Sequence, residues 1–449
     1  MRTIGARKRV DEKERGDLRP RVRRFAALLA AIGAVVVAVG GCTSSGPERP
    51  NIVFVVADDL GYPYAGFMGD PIVRTPHLDR LAAGGVVFTT AYATASTCEP
   101  SLRSLLTGKE AFTRGPDSPV GKEMDPATTL PGLLGGAGYA TYQAGKFWQD
   151  SFPRAGFAEG TKGDKVEGGA FEKMMGGRAG LEIGRKTMKP VFDFIDRNED
   201  EPFFLFYAPN LPHRPWNAPK KYWKPYAAVA KQLSPSTLAY FANITWFDEG
   251  LGELMDYVDA KGLRSRTLFV YVTDNGFRQE GMDTFAPEKL DHAKDSMGDM
   301  GFRTPLIFNW PGKIPAGVVR DDIVSLLDVF PTLLDFAGVA IPGGLPGLDL
   351  RAAIEQGTPV ARTELIGAVQ RVRPVTVGGP PKPTAHRAYF LRTPQWHYAL
   401  YPESKTEQLF DVKADPREKN DVAASHPAEV AEFKQRIERW IADDPASGG

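Results

Sequence analysis

Two apolar runs in this chain end in oxygen donors. "NIVFVVADDLG" (Asn51–Gly61) stops at Asp58 and Asp59, and "TLFVYVTDNG" (Thr267–Gly276) stops at Asp274 and Asn275. Carboxylate and amide oxygens are hard ligands, and such a set selects calcium or magnesium over zinc. Six histidines and no Cys-x-x-Cys argue further against a structural zinc site. A third element, "ASTCEPSLRSLLTG" (Ala95–Gly108), carries Cys98, one of only two cysteines in 449 residues. If the other, Cys42, is consumed elsewhere, Cys98 has no disulfide partner and becomes a candidate reactive thiol.

For residues some 200 positions apart to act together, the fold must bring them to one edge. The β-branched runs at 51–57 and 267–273 suit central parallel strands buried on both faces. "EPFFLFYAPNLPH" (Glu201–His213) reads as a third strand, running into a proline-rich loop. Helical segments alternate with these strands at Thr75–Gly84, Ser101–Leu106, Leu130–Ala137, Phe241–Lys261 and Asp328–Ala337. This alternation predicts an α/β fold with a large mixed, mostly parallel sheet sandwiched by helices. Ligands in such sheets bind beyond the carboxyl ends of the strands. Asp58, Asp59, His213, Asp274 and Asn275 all fall at such ends, so one shared pocket is expected.

Past residue 360 the texture changes. "PVTVGGPPKPTAHR" is a Pro/Gly-rich connection, "AYFLRTPQWHYALY" and "TEQLFDVKADP" read as short antiparallel strands, and "HPAEVAEFKQRIERWI" reads as a closing helix. The expected organisation is a catalytic domain over 50–360 and a smaller C-terminal α+β subdomain over 361–449, with an antiparallel sheet.

The N-terminus reads as an address. Arg21-Val22-Arg23-Arg24 precedes the uncharged run Phe25 to Gly41, the layout of an export signal. The run ends at Cys42 and resembles a bacterial lipobox, in which the cysteine takes a lipid. Residues 1–41 are then the signal and 42–49 a linker, and the body is exported to the cell envelope and held at the membrane by lipid on Cys42. An uncleaved membrane anchor is the alternative, since the run nearly reaches spanning length. Ten of the 55 basic and four of the 55 acidic residues lie in 1–41, leaving a net charge of −6 beyond them. A mildly acidic body gives no support for nucleic-acid binding.

The ordered set "NIVFVVADDLG", "TPHLDRLAAGGVVFTTAYATASTCEPSLRSLLTG", "TLPGLLGGAGYATYQAGK", "PFFLFYAPNLPHRP", "TLFVYVTDNG" and "GFRTPLIFNWPGKIP" resembles the type I sulfatases of the alkaline-phosphatase-like superfamily. The likeness runs from Pro50 to the C-terminus. It implies that Cys98 is oxidised to formylglycine by a separate formylglycine-generating enzyme. It further implies a hydrated aldehyde as nucleophile: one hydroxyl attacks sulfur, and the second then loses its proton and expels sulfate as the aldehyde re-forms. Asp58, Asp59, Asp274 and Asn275 match the family's calcium ligands, with magnesium as the other candidate. Lys146 and Lys294 match lysines that hold the sulfate and the leaving oxygen. His213 matches a sulfate-contacting histidine and general acid. The implied substrates are aryl or carbohydrate sulfate esters.

Two positions depart from the pattern. Leu102 stands where the family has an arginine, with Arg103 one place late, which on a helix turns the side chain by about 100°. Trp148 stands where the family's Gly-Lys-x-His has its histidine, and His292 is a candidate substitute donor. These departures motivate two alternatives: a phosphoester or phosphonate hydrolase on the same fold, and an inactive relative that binds sulfated glycans. Phe147, Trp148, Trp216 and Trp223 are candidates for an aromatic wall.

Overall fold

The computed structural model describes residues 49–443 except 113, 115–123, 150, 170–171, 174, 277–292 and 378–382. Cys42, the signal-like run and His292 lie outside the described residues. No described helix is long and apolar enough to cross a membrane.

The larger sheet has nine strands: β1 (Asn51–Ala57), β2 (Val86–Tyr92), β3 (Ala140–Gly145), β4 (Glu159–Gly160), β5 (Phe203–Ala208), β6 (Thr267–Thr273), β7 (Arg303–Asn309), β8 (Val318–Arg320) and β9 (Val324–Ser325). Their spatial order is β4-β3-β5-β1-β6-β7-β2-β8, with β9 also on β2. Every pairing is parallel except the two made by β7, which runs against β6 and β2. The sheet is mixed and mostly parallel, as expected.

β1 lies at its centre and is buried along its whole length. Val53, Val55 and Ala57 pack into one apolar core, while Ile52, Phe54 and Val56 pack into a second on the opposite face. That alternation is why the run shows no polar positions: both faces are covered by helices. On the first face lies Pro235–Ala260, a 26-residue helix. It begins six residues before the apolar run that announced it, because Ser234 caps it by accepting from the Thr237 N–H (3.1 Å) and Pro235 opens its first turn. On the second face, Cys98–Thr107 is helical from the cysteine itself. Pro100 is tolerated because it sits in the first turn, where no intrahelical donor is needed.

A second sheet of four antiparallel strands follows: β10 (Leu365–Val372), β11 (Ala385–Arg392), β12 (Trp396–Tyr401) and β13 (Thr406–Asp411). The helix Pro427–Ala442 closes it, burying Phe433 and Ile437. Residues 49–443 as described form part of one compact unit containing both sheets. A buried polar cluster ties them. Asp299, just before β7, accepts from Tyr92 Oη (2.7 Å) and Arg392 Nε (2.9 Å), and its N–H donates to Glu418 (2.8 Å). Glu418 in turn pairs with His397 on β12.

Burial opposes ionisation of Asp299, but Arg392, Arg303 and His397 outweigh it and lower its carboxyl from 3.8 to about 2. A depressed carboxylate contributes stability above its unfolded pKa and loses it as pH falls through the folded one. Denaturant unfolding between pH 4 and pH 2 should therefore show a loss of about 2 kcal/mol that Asp299→Asn removes. An unchanged pH dependence in that variant would contradict the assignment.

Candidate active site

Asp58, Asp59, Cys98, Lys146, His213, Asp274, Asn275 and Lys294 all reach one edge of the large sheet, and strand direction explains how. β1, β5, β6 and β3 are parallel, so Asp58-Asp59, Asn210–His213, Asp274-Asn275 and Lys146 follow their carboxyl ends on the same side. β2 shares that direction, and the Cys98 helix starts six residues beyond it. β7 is reversed, so its approach rather than its exit lies at this edge, and that approach carries Lys294. The turn into Lys146 requires glycine. Gly145 has φ +106°, and a Cβ there would meet the Ala208 carbonyl oxygen at 2.2 Å.

The result is a buried acidic cluster. Ligand atoms of Asp58, Asp59, Cys98 and Asp274 all lie within 4.8 Å of one another. Lys146 Nζ pairs with Asp58 and lies 3.2 Å from Asp274 Oδ2. Lys294 Nζ pairs with Asp59 and lies 2.8 Å from Cys98 Sγ. Asn275 Nδ2 donates to Asp59 Oδ1 (2.8 Å), and Asn210 Nδ2 donates to Asp58 Oδ2 (2.9 Å). The Asp59 N–H donates to Asp274 Oδ1 at 3.1 Å. His213 turns Nε2 toward Asp59 Oδ2 at 3.7 Å, while its Nδ1 donates to the Arg214 carbonyl at 2.7 Å. That carbonyl can only accept, so Nδ1 carries the proton and Nε2 faces the cluster.

The electrostatics follow from burial. Desolvation pushes Asp274 up to about 6 in spite of Lys146. It acts on Asp59 too, but Lys294, His213 and Lys146 outweigh it and hold that carboxyl below the usual range. Desolvation also opposes the charge on both lysines, yet Asp274 and Asp58 keep Lys146 well above its ordinary value, and Asp59 does the same for Lys294. The Cys98 thiol is pushed up to about 12 by burial, so as a thiol it is protonated near neutrality and a poor nucleophile.

The cluster fits a divalent cation. Three carboxylates face only two ammonium groups, leaving a formal excess of one negative charge in a buried site. Asn275 Oδ1 is buried and has no hydrogen-bond partner among the described residues. A buried amide oxygen without a hydrogen-bond partner, on a side chain that touches Asp59, is a donor that a hard cation would satisfy.

The two departures are resolved. Leu102 packs in the apolar core beside Cys98. Arg103 does not replace the missing arginine: Nη2 donates to the Ala111 carbonyl (3.0 Å) and Nη1 lies 3.5 Å from Glu99. The Trp148 ring centre lies 5.6 Å from Lys146 Nζ, so the indole borders the site. Phe147 is core, edge-on to Phe157, and forms no wall. Trp216 packs against Tyr240 and Arg214, and Trp223 donates to the Ala218 carbonyl. Sequence reasoning missed Asn210. Its only signal was a place at the same strand end as His213, shared with several loop residues.

Fold and cluster together define an alkaline-phosphatase-like hydrolase. The chain belongs to the sulfatase family, matched over residues 50–339, and residues 290–443 match the N-sulphoglucosamine sulphohydrolase C-terminal family. It is a sulfuric ester hydrolase. It is 29% identical over 416 residues to an ulvan-active sulfatase of Formosa agariphila, covering 84% of this chain and 77% of that protein. It is 29% identical over 374 residues to N-acetylgalactosamine-6-sulfatase of Sus scrofa, covering 72% of this chain and 69% of that one. Ps i-CgsB, solved in complex with k-i-k-neocarrahexaose, superposes with a TM-score of 0.69 at 25% identity, covering 88% of this chain and 94% of that one. A phosphonate monoester hydrolase from Silicibacter pomeroyi shares the fold, with a TM-score of 0.66 at 19% identity over 88% of this chain and 96% of its own.

Since Arg103 ties its helix to the Ala111 carbonyl and not to substrate, Arg103→Ala should cost about 1–3 kcal/mol of unfolding free energy while KM for a sulfate ester stays within about twofold. A KM rise of about tenfold or more with unchanged stability would place the guanidinium on substrate.

Proposed function

We propose that this protein hydrolyses carbohydrate sulfate monoesters at the Asp58–Asp274 edge, after conversion of Cys98 to formylglycine. The observation that carries the reading is the convergence of three carboxylates on Cys98, flanked by Lys146 and Lys294 and with the Asn275 side chain on Asp59. Asp58, Asp59, Asp274 and Asn275 Oδ1 would hold the metal, calcium by the all-oxygen donor set. When bound, it supplies Lewis-acid polarisation of the sulfuryl oxygens. Formylglycine would supply a nucleophile with a built-in route to release sulfate, a property the protonated thiol lacks.

The remaining work falls to this chain's own side chains. Lys146 and Lys294 hold their charge in the buried site, on the carboxylates beside Cys98, where it would face the sulfuryl oxygens. His213 presents Nε2 toward the cluster, and in its imidazolium form, with Nε2 protonated as well as Nδ1, it would be placed to protonate the departing alcohol oxygen. The tight packing around Cys98, which is 5% exposed, keeps bulk water from competing.

The carbohydrate assignment draws on the relatives, whose names specify ulvan and N-acetylgalactosamine 6-sulfate and one of which was solved with a neocarrahexaose. The Trp148 indole bordering Lys146 offers a flat face of the kind sugars stack on.

Native protein should give a Cys98 peptide whose mass reports loss of sulfur and two hydrogens and gain of one oxygen. The same preparation should release sulfate from sulfated sugars, and Cys98→Ala should lower kcat by roughly 10³ or more. An unmodified thiol in a preparation that releases no sulfate would sink the reading, and faster release from phosphate esters would replace it.

We also propose export and lipid anchoring through Cys42, on the strength of the basic, apolar and Gly-Gly-Cys succession. In detergent phase separation the full chain should enter the detergent phase, and Cys42→Ala protein the aqueous phase. Equal partitioning of the two would remove the anchor.

A further inference from the structure

The two loops that deliver Asp59 and His213 share a support that belongs to neither strand. Asp59 has φ 64°, left-handed backbone that a non-glycine residue adopts only when its surroundings impose it. The imposition comes from Tyr240. Its hydroxyl donates to the Asp59 carbonyl at 2.7 Å and accepts from the Gly61 N–H at 2.9 Å. One phenol thus clamps both sides of the strained turn. The ring cannot drift, because it is 1% exposed and packed against Trp216 and Tyr64 at 5.6 and 6.0 Å between ring centres.

Three residues further along the same helix, Asn243 does the corresponding work on the other loop. Its Oδ1 accepts from the Ala218 N–H (3.0 Å), and its Nδ2 donates to the Pro215 and Pro212 carbonyls at 3.2 and 3.4 Å. Those contacts bracket His213. Residues three apart share a helix face, so one rigid face of Pro235–Ala260 supports both loops. The loops also meet directly, through the Asp58 N–H and the Leu211 carbonyl at 3.0 Å.

We propose that Tyr240 and Asn243 are positioning residues: together they set the separation of the Asp59 carboxylate and His213 Nε2. Neither side chain enters the cluster. Tyr240 acts through the backbone of Asp59, and Asn243 through the backbone around His213. The inference rests on the metal and general-acid roles given above to Asp59 and His213.

The test uses the full chain and calcium itself. Ca²⁺ titration calorimetry on chelator-stripped protein should give a Kd about tenfold or more weaker for Tyr240→Phe than for wild type, the scale expected when a partner of a metal ligand is lost. Tyr226→Phe is the matched control. Its hydroxyl also makes buried contacts in this aromatic cluster, to the Phe241 carbonyl (3.2 Å) and Thr245 (2.6 Å), but not to the 58–61 turn. Its Kd should stay within about twofold of wild type. Equal Kd values for the two variants overturn the role of Tyr240. Wild type that takes up no Ca²⁺ overturns the metal reading itself, and the clamp with it. For Asn243→Ala, kcat should fall by about tenfold or more on sulfate esters of poorly leaving alcohols and much less on activated aryl sulfates. A uniform fall across leaving groups would reduce Asn243 to a purely structural residue.

Discussion

Like charges do not share a dry space without compensation, and three carboxylates are buried at one end of this sheet. Asp58, Asp59 and Asp274 are 2, 6 and 1% exposed. Left alone, such a set would hold protons rather than charge. Here two buried lysines are drawn in, one onto Asp58 and Asp274, the other onto Asp59 beside Cys98. The formal deficit that remains, together with the unpartnered Asn275 oxygen, is the demand that a divalent cation meets.

The fold can be read as the apparatus that sustains this arrangement. Five like-directed strands send loops to one edge, and the single reversed strand brings Lys294 there from the other direction. The second sheet contributes from behind. Arg373, next to the end of β10, donates to the Lys294 carbonyl at 3.1 Å, and the neighbouring Asp295 N–H donates to the Ser96 carbonyl at 3.0 Å. The lysine approach is therefore tied both to the C-terminal sheet and to the turn that precedes Cys98. Rigid support matters, because electrostatic stabilisation is strong only when the charges need not move during the reaction.

Much of this was legible in the sequence, for identifiable reasons. Strands buried on both faces have no alternation to hide their ends, so Asp58-Asp59 and Asp274-Asn275 stood out as the points where apolar runs stop. The mostly parallel sheet followed from strand–helix alternation. What escaped depended on tertiary context. β2, β3 and β7 were missed as strands because short runs such as Ala140–Gly145 carry threonine, glutamine and glycine, and are held by their neighbours rather than by their own pattern. The long helix began early because a Ser-Pro cap outranked the apolar period. Asn210 and Tyr240 were invisible because each acts through one hydrogen bond or two across more than 150 residues. Arg103 could be excluded from the site only by seeing where its guanidinium goes.

The central claim is that the three carboxylates and Asn275 form one cation site beside residue 98. Anomalous diffraction from crystals grown with calcium, recorded at long wavelength, tests it directly. The account predicts one strong peak about 2.3–2.6 Å from oxygens of Asp58, Asp59, Asp274 and Asn275. A peak held by other residues, or density at this edge explained by water alone, would contradict it.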